Sequence, residues 1–338
     1  MLKKLLLFLC IAGCSSGPDQ KRISIPIGDT EIFMVWIPGG TFNMGSTDSM
    51  ARSDEQPVHF VKMDGFWMSE TPVTNRQFSS FITELNYVTT AEVAPSLEEI
   101  MAQVPLGTPP PLKDMLVAGS LTFVNHPIPA NPNSAVRWWA WSTNSNWKHP
   151  YGEASSINGL NNHPVVQVSW YDAVAFSEWA GTSLPTEAQW EYAAKKGEVT
   201  NSRAMNIWQG VFPVNNAGSD GFEKTNPVDA YKPNKIGLYD MAGNVWEWVA
   251  DWYRPNTYLM GGRDNNPIGP LSSYDPMEPT IPKRVIRGGS FLCNAQYCTG
   301  YRPTARMKTS PDTSIEHTGF RCVMSQEQMG KYVNQINN

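Results

Sequence analysis

Apolar and polar positions change their period several times along this chain, and each change marks an element. Glu31-Ile-Phe-Met-Val-Trp-Ile-Pro38 is an apolar run closed by Pro38-Gly39-Gly40, and Phe60 to Met68 has the same character; both read as core strands. Thr74-Asn-Arg-Gln77 then carries capping-box spacing. Phe78, Phe81, Ile82 and Leu85 follow at the i, i+3, i+4, i+7 interval of one helical face, so a helix is predicted from about 75 to 86. Ser169-Trp-Tyr-Asp172 opens a second helix that Gly181 stops. Thr186-Glu-Ala-Gln189, preceded by Pro185, opens a third with Trp190, Ala193 and Ala194 on one side. Residues 90–160 lose any period: Pro109 to Pro111 cluster, and Trp138, Trp139, Trp141 and Trp147 stand among Asn, Ser and His. That stretch is expected to be a long ordered loop region, its tryptophans either covering the core or forming a binding surface. From Lys196 to Val323 the expectation is turns and short strands. No repeat or interdomain linker interrupts the pattern, so one domain is expected over 31–325, with 326–338 as a C-terminal tail.

The N-terminus has a different logic. Two lysines, a short apolar run and small residues lead to Ile11-Ala12-Gly13-Cys14, which has the form of an export leader over 1–13 and resembles the lipobox of bacterial lipoproteins. The run is about half the roughly 20 residues that a spanning helix needs. Cys14 is therefore expected to carry a lipid, with 14–30 as a polar tether, placing an exported protein on a membrane facing the periplasm or in the outer membrane. Losing Lys3 and Lys4 with the leader takes the formal charge from −5 to −7. With no Lys/Arg cluster to meet phosphates, this argues against a nucleic-acid partner. The abundance of Trp, Gly and Pro (13, 26 and 27) points to an aromatic-rich fold with many turns and excludes long coiled coils and helical repeats.

Chemistry concentrates at Arg287-Gly-Gly-Ser-Phe-Leu-Cys-Asn-Ala-Gln-Tyr-Cys298. Of the three cysteines after Cys14, two lie here within five residues. Five residues is half a period off on a strand and roughly 140° round a helix, so the chain must bend to bring both sulfurs together. Three readings stand open from spacing alone: a disulfide, the default for exported cysteines; a soft two-thiolate site that favours Cu(I) over Mg or Ca; or buried inert thiols. Separately, Asp240-Met-Ala-Gly-Asn-Val-Trp-Glu247 brackets a Gly-Asn turn with two carboxylates, which suits either a capped turn or a hard cation.

Several blocks together resemble the formylglycine-generating enzyme family, also called sulfatase-modifying factors. They are His163-Pro-Val-Val-Gln-Val-Ser-Trp-Tyr-Asp, Leu184-Pro-Thr-Glu-Ala-Gln-Trp-Glu-Tyr, Gly237-Leu-Tyr-Asp-Met-Ala-Gly-Asn-Val-Trp-Glu-Trp, Arg287-Gly-Gly-Ser-Phe and Gly319-Phe-Arg-Cys. Many relatives keep such blocks without the cysteines; Ser290-Phe-Leu-Cys293 to Cys298, with Asn206-Ile-Trp-Gln-Gly and Trp147-Lys-His-Pro, is what resembles the catalytic branch.

The resemblance implies an α+β fold related to C-type lectins and poor in regular structure. It implies that Cys293 and Cys298 hold Cu(I), joined by the thiolate of a cysteine in an unfolded sulfatase polypeptide. With O2 as cosubstrate, that cysteine, in a Cys-x-Pro-x-Arg context, loses a Cβ hydrogen and becomes Cα-formylglycine after hydrolysis of a thioaldehyde. A resting disulfide between Cys293 and Cys298 is compatible with this. Ser290 and Trp246 match the lining of the oxygen and thiol pocket; Trp147, His149, Tyr297, Arg302 and Arg306 match cleft or supporting positions. Two structural calcium sites are implied, one at Asn206, Ile207, Asp220 and Phe222, the other at Asp240, Gly243, Val245 and Glu247. Cys322 has no partner, since Pro303 stands where animal relatives have a cysteine, and it is expected to be a buried free thiol. The enzyme is expected to act as a monomer, touching the membrane only through its lipid. The alternative is a non-catalytic surface lipoprotein using the same fold for assembly or ligand binding, as in gliding machinery.

Overall fold

Helix α1, Asn75–Leu85, shows how local pattern becomes structure in the computed structural model, which describes residues 18, 21–104, 107–125, 138–198, 205–260 and 264–337. The Gln77 N–H donates to Thr74 Oγ1 (3.3 Å) and the Thr74 N–H to Gln77 Oε1 (2.8 Å), so the expected capping box forms. Asn86 ends the helix in the left-handed conformation, φ 50°. The short α2, Leu97–Gln103, buries no side chain. Ser169 and Asp172 cap α3, Trp170–Trp179, and Thr186 and Gln189 cap α4, Glu187–Lys196, by the same reciprocal bonds. Phe78 of α1 stacks on Phe176 of α3 at 5.9 Å, and Phe176 meets Phe320 edge-on at 5.3 Å, which makes the aromatic centre of one core cluster.

Two four-stranded sheets carry these helices. The first joins β1 (Arg22–Ile27), β2 (Thr30–Ile37), β5 (Phe66–Ser69) and β14 (Val323–Met324), in that order and antiparallel throughout. The second has the order β12 (Met307–Thr309), β11 (Arg284–Arg287), β10 (Trp246–Trp252), β13 (Thr318–Phe320), with only β10 and β13 parallel. Three two-stranded ladders complete the fold: β3 (Gly40–Met44) with β4 (His59–Met63), β6 (Gly119–Phe123) with β7 (Trp139–Thr143), and β8 (Gly210–Val211) with β9 (Asn215–Asn216). This is the expected α+β architecture, short in regular elements.

Four expectations need correction. The Phe60 to Met68 run is two strands in different sheets, because the chain turns at Asp64-Gly65 and changes partner. The domain begins inside the expected tether: β1 pairs residue for residue with β2, and Ile25 and Ile27 are buried at alternating positions. The expected loop region 90–160 contains α2 and the β6–β7 ladder, in which Phe123 faces Trp139 and Leu121 faces Trp141. The expected tail is helix α5, Gln326–Asn337, entered through a Ser325–Gln328 capping pair, with Met329 and Tyr332 packed on the core. Cys14 and the leader lie outside the described residues. No helix among the described residues is long and apolar enough to cross a membrane.

Where α4 packs on the second sheet sits a buried ion cluster. Arg287, at the end of β11, bonds Glu187 (2.6 Å) and Glu191 (2.7 Å) on α4, while Arg306 bonds Glu187 at 2.7 Å. All four charges are buried, so removing either arginine takes a cationic partner from a carboxylate in a low-dielectric interior. The cluster fixes the chain immediately before the glycine pair that leads to the two thiols.

Candidate functional site

The bend that the thiol spacing requires is made by two devices. Gly288 and Gly289 both have positive φ (95° and 72°), and a Cβ on Gly289 would lie 2.5 Å from the Tyr301 nitrogen, so the chain can reverse here only without side chains. Asn294 then curls the segment: its Oδ1 accepts the N–H groups of Gln296 (3.1 Å) and Tyr297 (2.8 Å), and its carbonyl accepts that of Cys298 (2.9 Å). The Cα atoms of Cys293 and Cys298 come to 4.6 Å and their sulfurs are joined in a disulfide. Cys293 is buried and Cys298 partly exposed.

Both cysteines line a cavity of about 330 Å³, together with Ser290, Trp246, Tyr297, Trp138, Trp139 and His317. Trp246 opens β10, and its backbone N–H donates to the His317 carbonyl at 2.9 Å, so two walls of the cavity are one hydrogen bond apart. Gly300 holds the thiols against that indole. A Cβ there would sit 2.2 Å from the Trp246 ring and 3.1 Å from Cys298 Sγ. Tyr297 meets Trp138 edge-on (4.7 Å) and stacks on Phe212 (4.5 Å), giving the mouth an aromatic rim, and burial pushes its phenol above the ordinary tyrosine range.

The structure sorts the other candidates. Ser290, Trp246 and Tyr297 stand at the cavity with the thiols. Trp147 does not: it is a core residue packed edge-on to Phe78 at 5.4 Å. Arg302 is likewise structural, gripping Glu55 through two guanidinium nitrogens (2.6 and 2.8 Å), and Arg306 belongs to the ion cluster. His149 is held in its own turn, Nδ1 bonded to the Ser155 carbonyl at 2.6 Å, and does not border the cavity. Arg52, Phe123, Phe212 and His317 border it without having been picked out. Of these, only His317 had a signal in the sequence: it is the ionisable residue nearest the Gly319-Phe-Arg-Cys block. Cys322 is the expected buried free thiol, pushed up to about 11 by burial.

The profile described as "Sulfatase-modifying factor enzyme 1-like domain" matches residues 28–326. The chain belongs to the sulfatase-modifying factor family. A Thermomonospora curvata protein named formylglycine-generating enzyme is 42% identical to this family member over 304 residues, covering 86% of this chain and 92% of that one. The Mus musculus protein of the same name is 39% identical, over 92% of this chain and 77% of that one. The solved structure of PvdO from Pseudomonas aeruginosa shares the fold, with a TM-score of 0.58 at 20% identity over 87% of this chain and 94% of that one.

Next to the thiols, this family member carries a loop with unspent oxygens. Asn206 Oδ1 and Asp220 Oδ2 are buried and have no hydrogen-bond partner among the described residues. Burial raises Asp220 above the ordinary carboxylate range. Two residues after Asn206, the Trp208 N–H donates to the Cys293 carbonyl at 2.9 Å, so this loop is tied directly to the first thiol. The Asp240 to Glu247 turn is arranged differently. Asp240 is pushed up to about 7 by burial and accepts from Asn244 at 2.8 Å, whereas the Glu247 carboxylate is already engaged by Arg321 (2.6 and 2.7 Å) and Trp190 Nε1 (2.7 Å).

Proposed function

We propose that this chain is a copper- and oxygen-dependent oxidase that converts the cysteine of a sulfatase polypeptide, in a Cys-x-Pro-x-Arg context, to Cα-formylglycine. The observation that carries the reading is the convergence of Cys293 and Cys298 on one aromatic-walled cavity; the relatives' name points to formylglycine as the product and the family description to sulfatases. The donor set fits the metal: two thiols close enough to bond each other, one at a buried position, suit a soft monovalent ion once reduced. A copper(I) ion held there supplies one-electron chemistry with dioxygen. The chain's own part is to converge the thiolates through the Asn294 turn, to seat the indole of Trp246 over them, and to keep bulk water out with Trp138, Tyr297 and Phe212. The Ser290 hydroxyl, fully buried at the cavity wall, is placed to hydrogen-bond an oxygen species or the entering thiol.

A substrate path follows from the β6–β7 ladder. Phe123 and Trp139 border the thiol cavity, and the next same-face pair, Leu121 and Trp141, borders a second cavity of about 320 Å³ that also has the carboxylates of Glu99 and Asp312. A peptide entering extended advances about 3.3 Å per residue, so the arginine of the motif reads as the side chain for that acidic cavity.

Calcium at Asn206, Ile207, Asp220 and Phe222 is part of the proposal, because Asn206 Oδ1 and Asp220 Oδ2 lack partners among the described residues. The second set is weakened by the engagement of Glu247, which leaves Asp240 and the Gly243 and Val245 carbonyls. Export, lipidation at Cys14 and a periplasm-facing location complete the reading.

A synthetic peptide with the motif, incubated with reduced, Cu(I)-loaded protein, oxygen and a reductant, is expected to show the mass loss of thiol-to-aldehyde conversion. An unchanged peptide beside an active relative that converts it would overturn the assignment.

A further inference from the structure

His317 borders the thiol cavity and has no part in the proposed function. Its ring lies nearly flat on Trp139, with centroids 4.9 Å apart and planes 23° from parallel. Its backbone is fixed as well: the His317 carbonyl accepts from Trp246, and the next residue, Thr318, pairs with Trp246 across β10 and β13. Nδ1 is buried with no hydrogen-bond partner among the described residues, while the residue as a whole is largely but not fully buried and borders the cavity. A buried polar atom without a partner costs about 1–3 kcal/mol, and such groups persist where a ligand completes them.

Among the other polar groups at the cavity, Thr318 Oγ1 is likewise buried without a partner among the described residues, while Ser290 and Arg52 each already make one bond. Ser290 Oγ accepts from the Leu292 N–H (3.3 Å) and Arg52 Nη1 donates to the Arg306 carbonyl (3.4 Å). The remaining walls are largely aromatic. A peptide that pushes a cysteine side chain in this far brings its own backbone amides out of water, and those amides lose stability unless a protein group meets them. Proton transfer is not the role that fits. Burial pushes His317 down to about 3, far below a thiol near 8.5, so the imidazole stays neutral and offers one N–H and one lone pair.

We propose that His317 is a positioning and specificity residue whose imidazole hydrogen-bonds the backbone of the substrate polypeptide beside the cysteine that enters the thiol cavity. The proposal rests on the sulfatase-polypeptide reading, and it deepens that reading by naming the contact that holds the peptide rather than the one that reacts with it.

Two variants separate this from a merely structural role. His317→Phe keeps the stack on Trp139 and removes both nitrogens; His317→Gln keeps a neutral donor and acceptor and loses the stack. Two readouts are needed: kcat and KM on the motif peptide, and the affinity of wild type and variants for the same peptide with Ser in place of Cys, measured by fluorescence polarisation. One neutral hydrogen bond predicts that His317→Phe raises KM and weakens the Ser peptide about three- to tenfold, with kcat within about twofold and the melting temperature retained. His317→Gln is expected to recover most of that affinity. The proposal falls if His317→Phe binds like wild type, or if the order is reversed, with Gln the weaker and less stable variant, because the ring then serves only its stack. If wild type neither binds the Ser peptide nor converts the Cys peptide, the proposed function falls and this inference with it. If wild type does both and His317→Phe is unaffected, this inference alone falls.

Discussion

A methyl group on Gly300 would meet the Trp246 indole at 2.2 Å and Cys298 Sγ at 3.1 Å, both well inside van der Waals contact. Gly300→Ala must therefore shift the indole, the thiol or both. It is expected to cost about 1–3 kcal/mol of stability, as overpacking does, and to lower kcat/KM on the motif peptide by more than that loss of folded protein explains; thermal melting beside peptide kinetics checks it. The thiols themselves differ by burial. After reduction of the native protein, iodoacetamide is expected to label part-exposed Cys298 and to spare Cys322, whose burial holds it protonated up to about 11, until the protein is unfolded; peptide mass mapping reads this out. Glu316 adds a pH signature. Both its oxygens are buried without a hydrogen-bond partner among the described residues, Lys224 stands 3.6 Å away, and burial pushes the acid up to about 7 from 4.5. The unfolded chain then releases this proton first. Stability is lost as pH rises from about 4.5 to 7 and is level above. Glu316→Gln is expected to remove on the order of 2–3 kcal/mol of that loss, stabilising at pH 8 and changing little at pH 5; denaturant titrations at the two values decide it.

At the scale of elements, the caps were legible and the pairings were not. Thr74 with Gln77, Ser169 with Asp172 and Thr186 with Gln189 each bond within one turn of helix, so sequence neighbours contain the whole interaction. The β6–β7 ladder lacks such a local signature. Its register joins Gly119 to Thr143 across most of the irregular region, and Gly-Ser-Leu-Thr-Phe has too few apolar positions to show a period. Strand β1 shows the opposite case: Ile23, Ile25 and Ile27 alternate, but the segment follows a polar, Pro/Gly-punctuated stretch and read as tether. The contact that locks α4 to β11 is also long-range. Glu187→Gln would leave Arg287 and Arg306 half-compensated in the interior and is expected to destabilise by about 3–5 kcal/mol, measured by chemical denaturation. A larger m-value change would instead indicate a loosened native state.

For the whole molecule, the proposed calcium loop and the thiol loop are one mechanical unit, because the Trp208 N–H holds the Cys293 carbonyl two residues from Asn206. Calcium removal by a chelator is expected to lower the melting temperature and weaken Cu(I) binding, and added calcium to restore both. Asp220→Ala is expected to abolish that dependence; an unchanged melting curve with and without calcium would leave the Asn206 and Asp220 oxygens unexplained by a cation. The sequence by itself determined the family, the α+β class, the helices α1, α3 and α4, and the thiol pair with Ser290 and Tyr297 beside it in the chain, because each rests on a residue type within a short motif. Only the tertiary structure decided that Trp147 and Arg302 serve the core, that Trp138, Trp139 and His317 face the thiols, and that Gly300 must be bare. Those roles depend on which distant segments meet, and hydrophobic pattern records that a residue is buried without recording against what.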